Sequence, residues 1–384
     1  MRKVLPIIVL AQFFCTSLWF AGNAVITDIA KQFDVDKNFL GHLTSTVQFG
    51  FISGTLVFAI LSIADRLSPS KVFFFSAIVA AVCNLLVSLD GTTLTWIIIF
   101  RFFTGFFLAG IYPVGMKITA DYYEQGLGKS LGFLVGALVL GTAFPHLLKA
   151  VTLSFPWKYV IYATSVLSVL GGLIILLFVP DGPYRKAGQK PSLIAFLNGF
   201  RNPEFRSAAF GYFGHMWELY AFWTFIPTML YWYKSHHTVD LNIPLLSFCI
   251  IAIGSIACAT SGLISQKFGE KRIATIALAL SGACCILSPL FFLLDSTFLL
   301  LLFLFIWGIA VVADSPLFST LVARNAPAER RGASLTIVNC IGFAITIISI
   351  QLLNLILNET NTWYIFLLLA IGPVLGVAVL LKKN

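Results

Sequence analysis

Residues 180–206, PDGPYRKAGQKPSLIAFLNGFRNPEFR, form the longest polar stretch of this sequence and lie at the middle of its 384 residues. The stretch is rich in proline and glycine, which interrupt helices, and it carries five basic side chains. Elsewhere the chain is apolar: 59% of all residues are hydrophobic and 11% are charged, against about 25% charged in a typical soluble domain. The composition therefore excludes a cytosolic enzyme, a nucleic-acid-binding domain and a disordered protein.

Six apolar runs precede this stretch and six follow it. A transmembrane helix needs about 20 apolar residues, and we name the runs spans 1–12 in chain order. They cover about 4–27, 39–63, 72–89, 94–117, 130–148, 158–179, 207–233, 245–265, 273–294, 297–319, 333–357 and 362–381. The sequence thus predicts an all-α membrane protein with twelve transmembrane helices in two pseudo-symmetric six-helix bundles, residues 1–180 and 207–384, joined by a cytoplasmic linker at 181–206.

The distribution of basic residues predicts the orientation, because cytoplasmic loops of membrane proteins are enriched in Lys and Arg. With the first residue inside, 19 of the 25 Lys and Arg residues fall on the side of the linker and 5 on the opposite side. We therefore expect a multi-pass protein in a lipid bilayer, with both termini cytoplasmic. The seven cysteines all lie within apolar runs, so neither a metal site nor disulfides are expected.

Two pairs of loops repeat at corresponding places in the two halves. ADRLSPSK follows span 2 at 64–71, and SQKFGEKR follows span 8 at 265–272. GLGKSLG follows span 4 at 126–132 and resembles RRGASLT after span 10 at 330–336. The spacing is about half the chain, which indicates a duplicated six-helix unit.

The first pair of loops resembles a motif of the major facilitator superfamily, Gly-x-x-x-Asp-Arg-x-Gly-Arg-Arg. The first copy keeps Asp65, Arg66 and Lys71, and the second keeps Lys271 and Arg272. We expect these five residues to form a conformational latch, whose charges pair across the cytoplasmic face and separate when the two halves move.

Span 4 carries a second part of the resemblance, because Arg101 and Gly105 match the family's Arg-x-x-x-Gly pattern. The stretches IYPVGMK, VGALVLGTAFPHLL, GYFGHMWELYAFW and VVADSPLFSTLV are loosely similar to bacterial members grouped with nitrate and cyanate porters. The resemblance implies the fold of the superfamily, transport by alternating access, and a central cavity lined by spans 1, 4, 7 and 10. It also implies that the protein lies in a bacterial inner membrane and that Arg101 serves proton coupling or holds an anionic substrate.

Three charged residues lie deep in apolar runs: Arg101, Glu218 and Asp314. On insertion scales a charge at the centre of a transmembrane helix costs about 2.5–3.5 kcal/mol, so such residues usually pair or face a cavity. We assign Arg101 to substrate binding, because a guanidinium can grip a carboxylate through two parallel hydrogen bonds. The structural alternative is an arginine that donates to carbonyls of neighbouring helices.

Glu218 is the first candidate for the proton carrier. A carboxyl group removed from water holds its proton more tightly, so it can load and release the proton near neutral pH. His215 lies three residues earlier on the same helix face, where we expect it to share the proton-coupling role, and Tyr212 extends this face toward the substrate. The structural alternatives are a paired glutamate and a packing histidine.

Asp314 in span 10 completes the proton-coupling candidates, and Trp307 stands seven residues earlier on nearly the same face. Pro316 should loosen the helix beside Asp314. We assign Trp307 to substrate binding; for Asp314 the alternative is an aspartate at a helix end near the membrane interface. Span 1 carries a polar stripe that suits hydrogen bonding to substrate or, alternatively, to other helices: Gln12, Thr16, Trp19 and Asn23.

The energy source is expected to be an ion gradient, because the sequence has no glycine-rich phosphate-binding loop with Lys and Ser or Thr. We predict a monomeric secondary active transporter, with no cofactor, that moves a small polar, anionic solute together with protons by symport. The alternative is a proton-driven exporter of drugs or a siderophore-like metabolite. Uptake is favoured because the Gly-Pro pair that drug antiporters carry in span 5 is absent. A membrane enzyme is less favoured, because no catalytic cluster is visible near one interface.

Overall fold

The computed structural model describes residues 4–35, 39–123, 127–152, 155–185, 199–326, 331–360 and 363–382. Within these ranges the regular structure is helical throughout. The predicted linker covers residues 181–206. Its middle part, residues 186–198, lies outside the described residues.

Each predicted span corresponds to one helix or to a broken set of helices. Spans 2, 3, 5 and 6 are the helices Phe39–Ile60, Pro69–Leu86, Leu127–Val151 and Lys158–Phe178, with a short helix, Ile63–Arg66, after span 2. Spans 7, 8, 9 and 11 are Pro203–His237, Ile243–Phe268, Glu270–Leu293 and Arg331–Thr360. Four spans are divided: span 1 into Val4–Thr16, Ala21–Ala24 and Ile26–Phe33; span 4 into Leu94–Leu108 and Tyr112–Tyr122; span 10 into Thr297–Ala313 and Ser315–Asn325; span 12 into a 3₁₀ helix, Trp363–Ala370, and Ile371–Leu381.

Ten of these twelve spans are long and apolar enough, among the described residues, to cross a membrane. The two others are span 1, whose first segment has only 13 residues, and span 7, a single helix of 35 residues. The mean hydropathy of span 7 is lower than that of the ten other spans, because Glu218 and several His, Trp and Tyr side chains lie along it. Both spans were recognised from their continuous apolar runs, and both contribute to the centre of the molecule.

The first six spans pack mainly on one another, as do the last six, and the most extensive packing between the two groups lies at two pairs of spans. Span 5 lies along span 8, and span 2 lies along span 11. At the first contact a Cβ added to Gly136 would lie 2.9 Å from the carbonyl oxygen of Ser255, and one added to Gly132 would lie 3.1 Å from that of Cys258. Small residues in span 5 therefore let the two backbones approach closely, as is typical of packed membrane helices.

Span 2 meets span 11 through side-chain hydrogen bonds. Nε2 of Gln351 donates to the carbonyl oxygen of Gly41 at 3.1 Å and to Oγ of Ser45 at 2.8 Å. This contact lies on the far side, by which we mean the ends of the spans remote from the linker. The ends close to residues 185 and 199 form the linker side.

Candidate functional site

Three spans are interrupted near the middle of the molecule. The helix of span 1 is interrupted at residues 17–20, that of span 4 at 109–111 and that of span 10 at Asp314. In the last two spans a proline, Pro113 or Pro316, stands in the first turn of the segment that follows. Non-helical backbone at membrane depth is tolerated only where it is buried in protein or lines a cavity, so these breaks indicate the functional centre.

Proline explains the break in span 10 at the level of single atoms. Pro316 has no N–H and cannot bond to the carbonyl four residues earlier, which belongs to Val312. That carbonyl oxygen accepts instead from Sγ of Cys258, at 3.3 Å, and from the backbone N–H of Asp314. Span 8 thereby helps to satisfy the backbone group that the proline frees.

A small cavity lies between the breaks of spans 4 and 10. Its volume is about 20 Å³, which is room for about one water molecule. The lining comes from spans 4, 5, 7, 10 and 11 and consists of Tyr112, Val135, Leu138, Tyr212, Met216, Leu219, Tyr220, Trp223, Val312, Ser315, Ser319, Asn339 and Phe343. None of these side chains is charged, so the described lining offers hydrogen-bonding groups and aromatic faces rather than ion-pair partners.

Two fully buried polar atoms of this lining have no hydrogen-bond partner among the described residues. They are the buried indole N–H of Trp223 and Oδ1 of Asn339. Because buried polar groups normally find partners, these two are available to a bound solute. Of the predicted substrate-binding residues, Tyr212 lines this cavity; Trp223 and Asn339 were missed, because neither stands out from the other tryptophans and asparagines of the sequence.

Glu218 lies behind this lining, fully enclosed between spans 7, 9 and 10. Its Oε1 accepts from Nε1 of Trp307 at 2.6 Å and from Sγ of Cys285 at 3.2 Å. Its Oε2 accepts from Oγ of Ser281 at 2.8 Å. Trp307, predicted to bind substrate, is thus a partner of Glu218, and its ring packs 4.6 Å from that of Phe222. Nothing in the sequence pattern indicated the two partners from span 9, Ser281 and Cys285.

His215 and Asp314 form a second buried pair, which joins span 7 to the break of span 10. Nδ1 of His215 lies 2.8 Å from Oδ1 of Asp314, and both side chains are almost completely buried. The distance is that of an ion pair, but the two groups are not aligned as a hydrogen bond, and Nε2 of His215 is also buried without a partner among the described residues. The three predicted proton-coupling residues therefore lie on neighbouring faces of spans 7 and 10, directly behind the cavity lining.

Arg101 is buried within the first six spans rather than in the cavity lining. Its Nη1 donates to the carbonyl of Leu18 and to Oδ1 of Asn84, both at 3.0 Å, and its Nη2 donates to the carbonyl of Trp19 at 2.5 Å. The arginine thus satisfies carbonyls that the break in span 1 frees, and it ties that break to spans 3 and 4. This geometry corresponds to the structural alternative and provides no direct contact with a solute in the cavity.

The polar stripe of span 1 also makes contacts within the protein. Oγ1 of Thr16 donates to the carbonyl of Gln12 at 2.8 Å, and Nδ2 of Asn23 donates to Oγ1 of Thr44 at 2.7 Å. Both polar side-chain atoms of Gln12 and the indole N–H of Trp19 are buried without partners among the described residues. None of the four lines the cavity as the structure shows it.

Six aromatic side chains close the cavity on the far side, and we call them the aromatic layer: Trp19, Phe20, Phe51, Tyr220, Trp223 and Phe343. The ring of Trp19 lies 4.8 Å from that of Phe51, 5.7 Å from that of Tyr220 and 5.6 Å from that of Phe343. The layer therefore joins spans 1 and 2 to spans 7 and 11. Offset and edge-on contacts of this kind add about 0.5–1.5 kcal/mol per pair beyond area burial.

The predicted latch residues make their ion pairs within their own group of six spans. Nζ of Lys117 lies 2.8 Å from Oδ1 of Asp65, and Nζ of Lys271 lies 3.3 Å from Oε2 of Glu204. Arg66, Lys71 and Arg272 are exposed on the linker side. Arg185, at the start of the linker, donates to the backbone carbonyls of Asp65 and Leu67. Among the described residues we find no ion pair that joins these charges across the two groups.

A comparison with protein families identifies the chain. The model of the Major Facilitator Superfamily matches residues 8–350. The chain belongs to the Major Facilitator Superfamily. Members of this superfamily are transporters and not enzymes, so the prediction of a membrane transporter is confirmed, and with it the family resemblance of the loop motif and of span 4.

Solved structures confirm the fold. The crystal structure of the human organic anion transporter MFSD10 (TETRAN) superposes with a TM-score of 0.78 at 14% identity, over 99% of both chains. The structure of a bacterial homologue of the human lysosomal transporter Spinster, inward-facing and unoccupied, gives a TM-score of 0.69 at 16% identity, over 99% of this chain and 94% of that one. The predicted all-α major facilitator fold is therefore correct.

Two characterised relatives match part of the sequence. The MFS-type transporter acdC of Aspergillus candidus is 29% identical over 216 residues, which are 51% of this chain and 41% of that protein. The benzoate transport protein of Acinetobacter baylyi is 26% identical over 159 residues, which are 40% of this chain and 32% of that protein. The chain thus spans less than half the length of either relative.

Proposed function

We propose that this chain is a proton-coupled symporter that carries a small organic anion into a bacterial cell across the inner membrane, with both termini in the cytoplasm. The observation that carries the proposal is the placement of Glu218 and the His215–Asp314 pair directly behind the lining of the cavity. Protons gained or lost there can shift the equilibrium between two conformations, provided that the conformations differ in proton affinity.

The chemistry of the lining supports an anion that travels with a proton. The unpartnered indole N–H of Trp223 suits a carboxylate oxygen, and the aromatic faces around it suit an apolar or aromatic body. Because no described lining residue carries a positive charge, the charge of the anion needs compensation from elsewhere. A proton taken up at the neighbouring carboxyl groups provides it. The names of two similar proteins, a benzoate transport protein and an organic anion transporter, favour the same substrate class.

Alternating access through this cavity needs movement at both contacts between the two groups of spans. The aromatic layer and the Gln351 contact close the far side, so an outward-open state requires that both separate. The opposite movement opens the linker side by rocking span 5 along span 8. We propose that the two groups, residues 1–180 and 207–384, move as the two units of this cycle and that one copy of the chain is sufficient.

A thermal-shift screen of the purified protein first compares benzoate with other carboxylates and with organic cations. The transport test then uses the protein in proteoliposomes, with labelled benzoate as the probe. An inward proton gradient should drive uptake in the wild type. Glu218→Gln should abolish gradient-driven uptake but retain counterflow exchange, because the amide mimics the protonated acid and cannot release a proton. Asp240→Asn, which removes an exposed carboxylate on the far side, is the matched control and should transport normally.

Three results would contradict the proposal. Unchanged driven uptake in Glu218→Gln would remove Glu218 from the coupling mechanism. Stabilisation by organic cations alone, with no carboxylate raising the unfolding temperature, would contradict the substrate class. Benzoate that accumulates only when the proton gradient runs outward would instead indicate export.

A further inference from the structure

The two oxygens of Glu218 have different surroundings. Oε1 accepts from Nε1 of Trp307 at 2.6 Å and from Sγ of Cys285 at 3.2 Å. An indole N–H can donate but cannot accept a hydrogen bond. A proton on Oε1 would make that oxygen a weaker acceptor and would compete for space with two donors, so it would weaken the short bond to Trp307. A proton on Oε2 leaves that bond intact.

Ser281 is the group that faces Oε2, and it has a choice of partners. Its Oγ lies 2.8 Å from Oε2 of Glu218 and 3.1 Å from the carbonyl oxygen of Leu278. A hydroxyl group has one hydrogen and two lone pairs, so it cannot donate to both oxygens at once. When Glu218 is ionised, Ser281 donates to Oε2. When Glu218 is protonated, Ser281 accepts from Oε2–H and donates to Leu278.

We propose that Glu218 carries the transported proton on Oε2 and that Ser281 is a positioning residue, whose hydroxyl rotates to satisfy both protonation states. This inference rests on the proposed role of Glu218 in coupling. In the step itself, one proton joins or leaves Oε2, while Ser281 keeps its own proton and changes only the acceptor to which it donates. No heavy atom has to move, so both states of the acid stay hydrogen-bonded in a site closed to water.

Other ionisable groups face this site from the packed spans. Cys284 and Cys285 approach from span 9 and Asp314 from span 10, while His215 lies three residues earlier on span 7. Asp314, when ionised, adds a second negative charge near Glu218, and a protonated His215 at 2.8 Å compensates it. The protonation of Glu218 therefore also responds to this pair, and a test of Ser281 must hold the pair unchanged.

Glutamine at position 218 provides the reference for the protonated state. Its Oε1 can keep the bonds from Trp307 and Cys285, and its NH₂ group can donate to Ser281. Because the amide oxygen and nitrogen cannot exchange places without losing the Trp307 bond, the orientation is fixed in the same sense as for the protonated acid.

The experiment is infrared difference spectroscopy of the full-length protein in liposomes, titrated from acidic to alkaline pH. The carbonyl band of the protonated acid is assigned as the band that Glu218→Gln abolishes. Ser281→Ala should move this band to higher frequency, because the acid O–H no longer has an acceptor. Ser281→Ala should also raise the proton affinity of Glu218 about fivefold to tenfold, because the ionised carboxylate loses a stronger hydrogen bond than the neutral acid does.

Two further variants separate the hydroxyl from general disturbance of the site. Ser281→Thr keeps a hydroxyl and should restore the wild-type band and midpoint. Cys285→Ala removes a weak donor to Oε1 and should change the proton affinity by less than about twofold.

The inference is overturned if Ser281→Ala leaves the band and its midpoint unchanged, or if Cys285→Ala shifts them as much. It is also overturned if the wild type shows no band that depends on Glu218. Failure of the proposed function is distinct: driven uptake in Glu218→Gln would then be normal, while the band and its response to Ser281→Ala would remain.

Discussion

Nη2 of Arg101 donates to the carbonyl oxygen of Trp19 over 2.5 Å, at the point where span 1 leaves the helix. The guanidinium thus holds the backbone that carries one ring of the aromatic layer. The sequence predicted that Arg101 binds substrate. In the folded chain its guanidinium instead donates hydrogen bonds to backbone carbonyls of span 1 and to Asn84.

Replacing Arg101 with methionine should therefore lower stability strongly. The variant removes the donors of the Trp19 carbonyl and of the Asn84 amide oxygen, and it leaves the Leu18 carbonyl with only a 3.4 Å bond from the N–H of Ala21. Each such loss costs about 1–3 kcal/mol. We expect a fall of about 3 kcal/mol or more in the free energy of unfolding, measured by denaturation in detergent. Arg101→Lys, which keeps the charge and part of the hydrogen bonding, should lose less. Equal stability of wild type and Arg101→Met would show that the bonds to span 1 contribute nothing.

The aromatic layer should limit access to the cavity from the far side. Removing the ring of Phe343, which lies 4.5 Å from that of Phe51 and 5.6 Å from that of Trp19, breaks contacts between the two groups of spans. In a background with Asn339→Cys, we expect Phe343→Ala to increase labelling by a membrane-impermeant maleimide added on the far side severalfold. Phe49→Ala is the control, because Phe49 is 57% exposed on the outer surface of span 2. Equal labelling in both variants would contradict a gating role.

The sequence predicted the fold well, because twelve apolar runs, a polar centre and a repeated loop do not depend on tertiary detail. It also placed the buried charges in the correct spans, since an intramembrane charge is rare enough to be informative by itself. Partners could not be predicted in the same way. Ser281 and Cys285 of span 9 are ordinary small residues in the sequence, and only the packing of span 9 against span 7 brings them to Glu218.

The loop charges illustrate the same limit. Asp65 was expected to pair across the cytoplasmic face, but its partner is Lys117 of span 4, a residue that lies 52 positions away in the sequence. A motif predicts which residue types occur together in a loop, whereas the partner depends on which helix end lies nearest in the folded chain.

The close approach of spans 5 and 8 gives a prediction with a control in the same helix. A Cβ at position 136 would lie 2.9 Å from the carbonyl oxygen of Ser255, whereas one at position 128 would lie 3.7 Å from the side chain of Thr320, an ordinary contact. Gly136→Ala should therefore cost about 1–3 kcal/mol through overpacking and slow transport, while Gly128→Ala should do neither. The two variants are compared by unfolding temperature and by counterflow; a Gly128→Ala defect equal to that of Gly136→Ala would show that contact distance is not the cause.

The buried His215–Asp314 pair can be distinguished from a surface pair of the same residue types. His215→Gln leaves an ionised Asp314 buried without its counter-charge, and breaking a buried pair in this way costs about 3–5 kcal/mol. Asp314→Asn should cost less, because His215 can then stay neutral, and the double variant should recover part of the loss.

The control is the pair of His237 with Asp295, whose carboxylate is 91% exposed; Asp295→Asn should change stability by less than about 1 kcal/mol. Denaturation of the three buried-pair variants and the control measures the coupling energy between His215 and Asp314. A coupling energy near zero would mean that the two side chains do not act as an ion pair, and proton coupling would then rest on Glu218 alone.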